Sequence, residues 1–253
     1  MSLSLLKVLA IPFIGTSLGA ALVLFFKNKT EGLLVRSLNG FAAGVMIAAS
    51  VWSLIMPSLD LSGGSFIPAA VGFWIGILFF YVLDKAIGKM QSKSRYSLPI
   101  FRKSALPLLA IIIHNFPEGM ALGVAFAAWQ TNSSLVTYSS IIALSVGIAV
   151  QNCPEGAIIS LPLYSRGIGK FKAFLLGVFS AVVETLGSVL TVFAAAYLID
   201  LLPYLMCFAA GAMIYVVVDE MWPTMSDGKP SDLPTLLFVF GFSLMMILDI
   251  ALG

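Results

Sequence analysis

The sequence predicts an all-α integral membrane protein with eight transmembrane helices, forming a single domain over residues 1–253. Composition, the length of the apolar segments and the distribution of basic residues all indicate this class. Hydrophobic residues make up 60% of the chain and charged residues only 10%, whereas about 25% of the residues in an average soluble domain are charged. Too few charges remain to cover a water-exposed surface, so we expect the chain to lie in a bilayer.

Eight apolar segments follow one another with short polar breaks between them. About 20 residues of helix cross the hydrocarbon core of a bilayer, and each segment reaches that length. The first segment is interpreted as a membrane helix rather than a cleaved signal peptide, because its apolar run is long and basic residues follow it. The segments are residues 5–26, 32–59, 66–88, 104–129, 134–163, 171–199, 202–221 and 233–252.

The basic residues predict the orientation of the helices. With eight spans, the odd-numbered connections share one side of the membrane, and 13 of the 14 basic residues fall on that side. Lysine and arginine are retained on the cytoplasmic face during insertion, so both termini are expected on the extracytoplasmic side. The exception is Lys7. The 13 residues are Lys27, Lys29, Arg36, Lys85, Lys89, Lys93, Arg95, Arg102, Lys103, Arg166, Lys170, Lys172 and Lys229.

Several function classes are disfavoured by the same sequence. There is no basic stripe and no aromatic RNA-binding motif, so nucleic acid is not an expected partner. Cys153 and Cys207 both lie in apolar runs, which argues against a disulfide framework and against a zinc finger. The lipid bilayer is therefore the expected environment, and no organic cofactor is indicated.

Two related hexapeptides place polar residues deep in apolar segments. They are HNFPEG at 114–119, which contains the single histidine of the chain, and QNCPEG at 151–156. An ionisable side chain at mid-membrane costs at least ~2.5–3.5 kcal/mol on insertion scales. Counted at 1.5 Å per residue, both motifs and Glu184 of the sixth segment reach a similar depth. Three helices are thus expected to bring polar groups to one level, as they would around a substrate site.

The spacing within each motif places its polar residues on one helix face. Positions i, i+1 and i+4 fall within roughly 100° of arc, which groups three side chains on each helix. Pro117 and Pro154 lack an N–H and free carbonyls one turn earlier, as broken helices in transporters do. The grouped residues are His114, Asn115 and Glu118 on the fourth segment, and Gln151, Asn152 and Glu155 on the fifth.

The chemistry of this set favours a divalent cation. It offers three carboxylates, one imidazole and three amide side chains, which suit Zn²⁺ and other first-row divalent ions. No lysine or arginine lies among them, so an anionic substrate is disfavoured. A hydrogen-bonded core histidine and a simple proline kink are the alternatives, but the repetition of the pattern at matched depth favours ion binding.

Other polar or sulfur-containing residues have weaker signals. Met46 and Cys153 are interpreted as packing residues, and a ligand role is the less favoured alternative for each. Asp219 and Glu220 are either solvated charges at a helix end or part of an exit vestibule. Asp249, near the C-terminus, is expected at the membrane interface.

Paired HNxPEG-type motifs on the fourth and fifth of eight spans resemble the ZIP family of divalent metal transporters. Gln151 and the stretch SVWSLIMPSLD at 50–60 are most similar to its bacterial GufA-like branch. The resemblance implies metal bound between helices four, five and six. The implied primary site comprises His114, Glu118, Gln151 and Glu155. An adjacent second site would use Asn115, Asn152 and Glu184, with Glu118 and Glu155 bridging.

The resemblance also implies transport toward the cytosol across the cell's inner (plasma) membrane, frequent homodimers and an elevator-like movement of one helix bundle. Met46 and Ser53 match positions near the site and its outer entrance, so they join Asp219 and Glu220 as candidate pathway residues. Zn²⁺ is the first expected substrate, followed by Fe²⁺, Mn²⁺ or Cd²⁺. The chain departs from the commoner pattern at Gln151, where many relatives have histidine, and at Asn152, where some have aspartate.

Two other functions remain as alternatives. An intramembrane metal-dependent hydrolase would need a metal-activated water and a general base, and the sequence contains no HExxH motif. A scaffold with buried hydrogen-bonded polar groups is the third class. A transporter rather than an enzyme is therefore the leading hypothesis.

Overall fold

The computed structural model describes residues 3–25, 32–93, 99–131, 136–165, 167–195, 197–228 and 230–252, and their side chains except those of residues 87–114 and 199. Within these ranges the regular structure is helical and contains no β-strand, so the all-α prediction is confirmed. The long helices are α1 Leu3–Phe25, α2 Gly32–Leu61, α3 Phe66–Lys93, α4 Pro99–Thr131, α5 Tyr138–Ser165, α6 Lys170–Ala195, α7 Leu202–Ser226 and α8 Leu233–Leu252.

Seven of these helices are long and apolar enough, over their described residues, to cross a membrane. The remaining one, α4, has 33 residues, but its side chains before Asn115 lie outside the described ones. Its crossing therefore stays a prediction, as does the extracytoplasmic position of the termini. The multi-pass membrane class itself agrees with the seven described spans.

The helices pack in two groups. In the first, α1 contacts α5 and α6, and α4 contacts α6; in the second, α2 contacts α8, and α3 contacts α7. The groups meet where α2 and α8 contact α5 and where α4 contacts α7. Apolar side chains line both interiors, and the two hexapeptide motifs and Glu184 lie in the first group.

Small residues let the paired helices approach to backbone contact. A β-carbon built on Gly119 of α4 would lie 2.0 Å from the carbonyl oxygen of Glu184 on α6. One built on Gly156 of α5 would lie 2.3 Å from the carbonyl oxygen of Thr16 on α1. Such close approach is how membrane helices gain packing energy without a hydrophobic driving force.

The paired helices run parallel, because successive glycines on one helix meet successively later residues on its partner. Each of the four pairs shows this order. The contacts are Gly15 with Ala149 and Gly19 with Cys153 for α1 and α5, Gly40 with Pro234 and Gly44 with Phe238 for α2 and α8, Gly72 with Tyr204 and Gly76 with Phe208 for α3 and α7, and Gly119 with Glu184 and Gly123 with Ser188 for α4 and α6.

The helix irregularities lie elsewhere than the sequence suggested. Both α4 and α5 continue as α-helix through Pro117 and Pro154, so the expected breaks at the two motifs are wrong. Membrane helices tolerate proline when neighbouring groups satisfy the freed carbonyls. Instead, α2 and α7 each contain a π-helical segment, at Ser50–Ile55 and Val217–Met221. Each segment ends two residues before a proline, Pro57 in α2 and Pro223 in α7.

Candidate metal site

Two glutamates and a glutamine from α4 and α5 form one half of the buried polar cluster. The Nε2 of Gln151 donates a hydrogen bond of 2.5 Å to Oε1 of Glu118 and one of 3.3 Å to Oε1 of Glu155. Glu118 and Gln151 are fully buried, and Glu155 is 7% exposed. A single amide group therefore holds two carboxylates close together.

The other half of the cluster joins α5 to α6. The Nδ2 of Asn152 donates a hydrogen bond of 2.7 Å to Oε2 of Glu184, and both side chains are buried. Gln151 and Asn152 are adjacent in sequence, so the two halves share a short stretch of α5. Three helices thus bring together five of the seven side chains that the sequence predicts as ligands.

Four oxygen atoms in this cluster are buried without a hydrogen-bond partner among the described residues. Each amide directs its N–H toward a carboxylate, which leaves its own oxygen and the second carboxylate oxygen unpaired. A buried acceptor without a partner costs about 1–3 kcal/mol, and oxygen donors of this kind can coordinate divalent metal ions. The atoms are Glu118 Oε2, Gln151 Oε1, Asn152 Oδ1 and Glu184 Oε1.

The negative charge of the cluster also favours a bound cation. The carboxyl group of Glu118 lies close enough to Glu155 and Glu184 to be repelled by both. No lysine or arginine occurs in residues 115–165 or 173–195, so no basic residue of these stretches offsets the three carboxylates. A cation bound between them would relieve this repulsion.

Two predicted ligands do not join the described cluster. The side chain of His114 lies outside the described residues. Asn115 is 1% exposed, and neither its Nδ2 nor its Oδ1 has a hydrogen-bond partner within the described part of the chain. Their ligand roles stay predictions.

The described side chains also limit the type of site. Among them, no three His, Cys, Asp or Glu residues are grouped closely enough to hold a metal ion by themselves. Among the described side chains, the unpaired amide oxygens of Gln151 and Asn152 are further donors available beside the carboxylates. Amide and carboxylate oxygens are comparatively hard donors, which suits a site that binds its ion without trapping it.

The seam between α4 and α6 fixes the position of Glu118 relative to Glu184. Ser188 Oγ donates a hydrogen bond of 2.8 Å to the carbonyl oxygen of Gly119, and Gly119 itself touches the backbone at Glu184. Backbone contact leaves little freedom for either helix to slide. The glycine that follows the motif glutamate is therefore part of the geometry of the cluster.

A separate cavity of about 210 Å³ lies between the later part of α2, the start of α5 and the end of α8. Ser53 and Asp249 line it, and Ser53 Oγ lies 2.8 and 2.9 Å from the two carboxylate oxygens of Asp249, to which it donates. Asp249 is 8% exposed, so it is buried against the protein, and its expected position at the membrane interface stays a prediction. A carboxylate inside the apolar run MMILDIAL was the signal that it has a partner. Asp60 also lines the cavity.

The remaining pathway candidates lie on α2 and α7. Met46 is fully buried in the apolar core, and Ser50 Oγ donates to its carbonyl oxygen. Asp219 is exposed and Glu220 half-buried in the π-helical segment of α7. Both interpretations of these two acidic residues stay predictions.

These features define a class: a multi-pass helical membrane protein with a buried anionic site between three helices. The sequence profile of the family described as ZIP Zinc transporter matches residues 89–249. Human Zinc transporter ZIP11 is 33% identical over 94% of each chain. Zinc transporter ZIPB of Bordetella bronchiseptica is 36% identical over 95% of this chain and 79% of its own. Zinc transporter GufA of Myxococcus xanthus is 32% identical over 94% of each chain.

The chain belongs to the ZIP family of zinc transporters. The resemblance expected from the paired motifs is therefore confirmed, as is a transporter rather than an enzyme. These similarities assign no individual ligand, and the ligand roles of the cluster residues stay predictions.

Replacing Gln151 by histidine is expected to tighten Zn²⁺ binding and slow turnover. Imidazole is a better zinc donor than an amide oxygen, so we expect the dissociation constant to fall about tenfold, or ~1.4 kcal/mol. Slower release would lower the maximal uptake rate. Equilibrium Zn²⁺ binding and uptake rates on purified Gln151→His check this, and unchanged affinity and rate would contradict a ligand role for position 151.

Proposed function

We propose that this protein carries divalent transition-metal cations across the cell's inner membrane into the cytosol. Zn²⁺ is the first substrate, and Fe²⁺, Mn²⁺ and Cd²⁺ are further candidates. The observation that carries the proposal is the group of four buried oxygens that have no hydrogen-bond partner among the described residues and come from three helices around three carboxylates. A mobile divalent cation satisfies both the oxygens and the charge, whereas a hydrogen-bonded scaffold would satisfy neither.

The cluster suits one or two ions. Gln151 with Glu118 and Glu155 forms one set of donors, and Asn152 with Glu184 forms the other. Because Asn152 is neutral, the second set carries less charge than it would with aspartate. We infer that the first set binds the ion more strongly and that the second is occupied only at higher metal concentration.

The alternative of an intramembrane hydrolase has less support. Catalysis would need an open coordination position for water beside a general base. Here both amides hold the carboxylates through hydrogen bonds, and the family to which the chain belongs is one of zinc transporters.

The direction of the helices supports eight crossings. If every helix crosses, helices whose numbers are both odd or both even run parallel. The four packed pairs are α1 with α5, α2 with α8, α3 with α7, and α4 with α6, and each pair runs parallel. A failure of α4 to cross would have reversed every later helix against its partner. The pattern of helix directions thus favours α4 as the fourth span.

Contacts between helix ends support the predicted sides. Lys170, at the start of α6, donates a hydrogen bond of 3.1 Å to the carbonyl oxygen of Leu24 near the end of α1. Arg36 near the start of α2 donates one of the same length to Met225 at the end of α7. Both contacts join basic residues to the face that the sequence predicts to be cytoplasmic.

This orientation makes the Ser53–Asp249 cavity an entrance from outside and the region of Asp219 and Glu220 an exit toward the cytosol. One face of α5 leads from the cavity to the cluster, since Leu144 lines the first and Gln151 belongs to the second. Their separation of seven positions corresponds to about 10 Å of helix. We propose this face as the route of the ion.

Removal of the negative charge at the cavity should weaken capture of dilute metal. We expect Asp249→Asn to raise the KM for Zn²⁺ about threefold to tenfold with little change in maximal rate, because a charged cleft concentrates its counter-ion. The asparagine oxygen still accepts from Ser53. Uptake measured against Zn²⁺ concentration checks this, with Asp232→Asn at the exposed start of α8 as control. An unchanged KM would contradict the entrance assignment.

Uptake of radioactive Zn²⁺ into liposomes containing the purified protein tests the proposed function. We expect time-dependent accumulation that saturates with Zn²⁺ and exceeds that of protein-free liposomes. Cleavage of substrates without accumulation would favour the hydrolase, and accumulation equal to that of empty liposomes would contradict transport. The homodimer and the plasma membrane stay predictions, which sizing in detergent and membrane fractionation would check.

A further inference from the structure

The thioether of Met245 lies on the α5 face that joins the cavity to the buried cluster. Met245 is fully buried on α8, one turn before Asp249, which lines the cavity. A β-carbon built on Gly147 of α5 would lie 2.1 Å from Met245 Sδ and 2.7 Å from its Cε. The sulfur atom, rather than the terminal methyl group, is therefore the Met245 atom nearest to the side-chain position of Gly147.

Gly147 occupies the middle of the route. It lies one turn after Leu144, which lines the cavity, and one turn before Gln151, which belongs to the cluster. Positions three and four residues apart share a helix face. Glycine leaves room on this face, and the next nearest atom to its built β-carbon, Met245 Cγ, is 3.8 Å away. The room is thus filled by this one side chain.

The contact differs in kind from the other glycine contacts of the helix seams. Gly119 and Gly156 meet backbone atoms of helices in their own group, which cannot move unless a whole helix moves. Gly147 meets only a side chain from the other group. Methionine is unbranched, with three rotatable bonds and a polarisable sulfur, so Met245 can swing aside or stay beside a passing ion without any helix shifting.

We propose that the Met245 thioether contacts the metal ion between the Ser53–Asp249 cavity and the buried cluster, and that this contact favours thiophilic ions such as Cd²⁺ over hard ions such as Mn²⁺. The inference rests on the proposed function. The donors at either end are oxygens, to which hard ions bind well, whereas a thioether prefers soft ions. The Met245 sulfur would then discriminate between soft and hard ions before they reach the carboxylates of the buried cluster.

Met245→Leu tests the inference, because leucine keeps the bulk and removes the sulfur. In liposomes loaded with the variant, we expect the ratio of Cd²⁺ to Mn²⁺ uptake rates to fall about fivefold or more relative to the wild type, as expected for loss of a soft donor. Met206→Leu is the matched control, since Met206 is equally buried on α7 and lies outside the route. Its ratio should stay unchanged.

The outcomes separate the inference from the function on which it rests. An active Met245→Leu protein with an unchanged Cd²⁺ to Mn²⁺ ratio, whether both rates are normal or both fall together, overturns the inference and leaves transport standing. A wild-type protein that takes up no metal overturns both. If the leucine variant fails to assemble, Met245→Ile, also sulfur-free and of similar bulk, gives the same comparison.

Discussion

Replacement of Glu118 or Glu155 by glutamine is expected to reduce Zn²⁺ uptake to the level of protein-free liposomes. Each substitution removes one negative charge with little change in shape. The Nε2 of Gln151 donates to both carboxylates, so an amide in place of either one weakens the donor set twice, through lost charge and through a competing N–H. Metal binding at equilibrium should fall with uptake.

The same substitutions should leave the protein in the membrane. A neutral side chain at this depth is less costly than a charged one, so folding is not expected to suffer. Asp200→Asn, a carboxylate-to-amide change in an exposed turn before α7, is the control and should transport normally. Near-normal uptake by either glutamine variant would contradict the assignment of the cluster as the metal site.

Substitution of Gly119 by alanine is expected to disrupt assembly of the first helix group. The new β-carbon would lie 2.0 Å from the carbonyl oxygen of Glu184, and a backbone atom cannot yield as a side chain can. Overpacking of a well-packed interior typically costs about 1–3 kcal/mol. We therefore expect a lower thermal transition in detergent and less monodisperse protein.

Gly32→Ala provides the matched control for this prediction. Gly32 begins α2, and a β-carbon built there meets no atom within 4 Å. Its thermal transition should match that of the wild type. If Gly119→Ala is equally stable, the close approach of α4 and α6 is not required for the fold.

The convergence of the cluster could be predicted because helix geometry is regular. Depth along α4, α5 and α6 follows from a rise of 1.5 Å per residue. This rise alone predicts that Glu118, Gln151 and Glu184 lie at one level. Which amide donates to which carboxylate could not be predicted. That choice depends on rotation of each helix about its axis, which packing at Gly119 and Gly156 sets.

Features that depend on contacts between distant segments escaped prediction. The pairing of Ser53 with Asp249 joins residues 196 positions apart, and hydropathy along one helix cannot reveal a partner on another. The π-helical segments of α2 and α7 escaped for a related reason, since they leave the apolar pattern unbroken. Pro117 and Pro154 suggested helix breaks that the structure does not show, because a helix held on several sides can continue through proline.

The position of bound Zn²⁺, located by anomalous X-ray scattering from crystals of the protein grown with the metal, tests the site most directly. We expect the strongest peak inside the cluster, about 2.0–2.2 Å from carboxylate oxygens of Glu118 and Glu155, as for zinc bound by carboxylates elsewhere. A second, weaker peak is expected beside Asn152 and Glu184. No peak in the cluster at a metal concentration that saturates uptake, or a strong peak only outside it, would contradict transport through these residues.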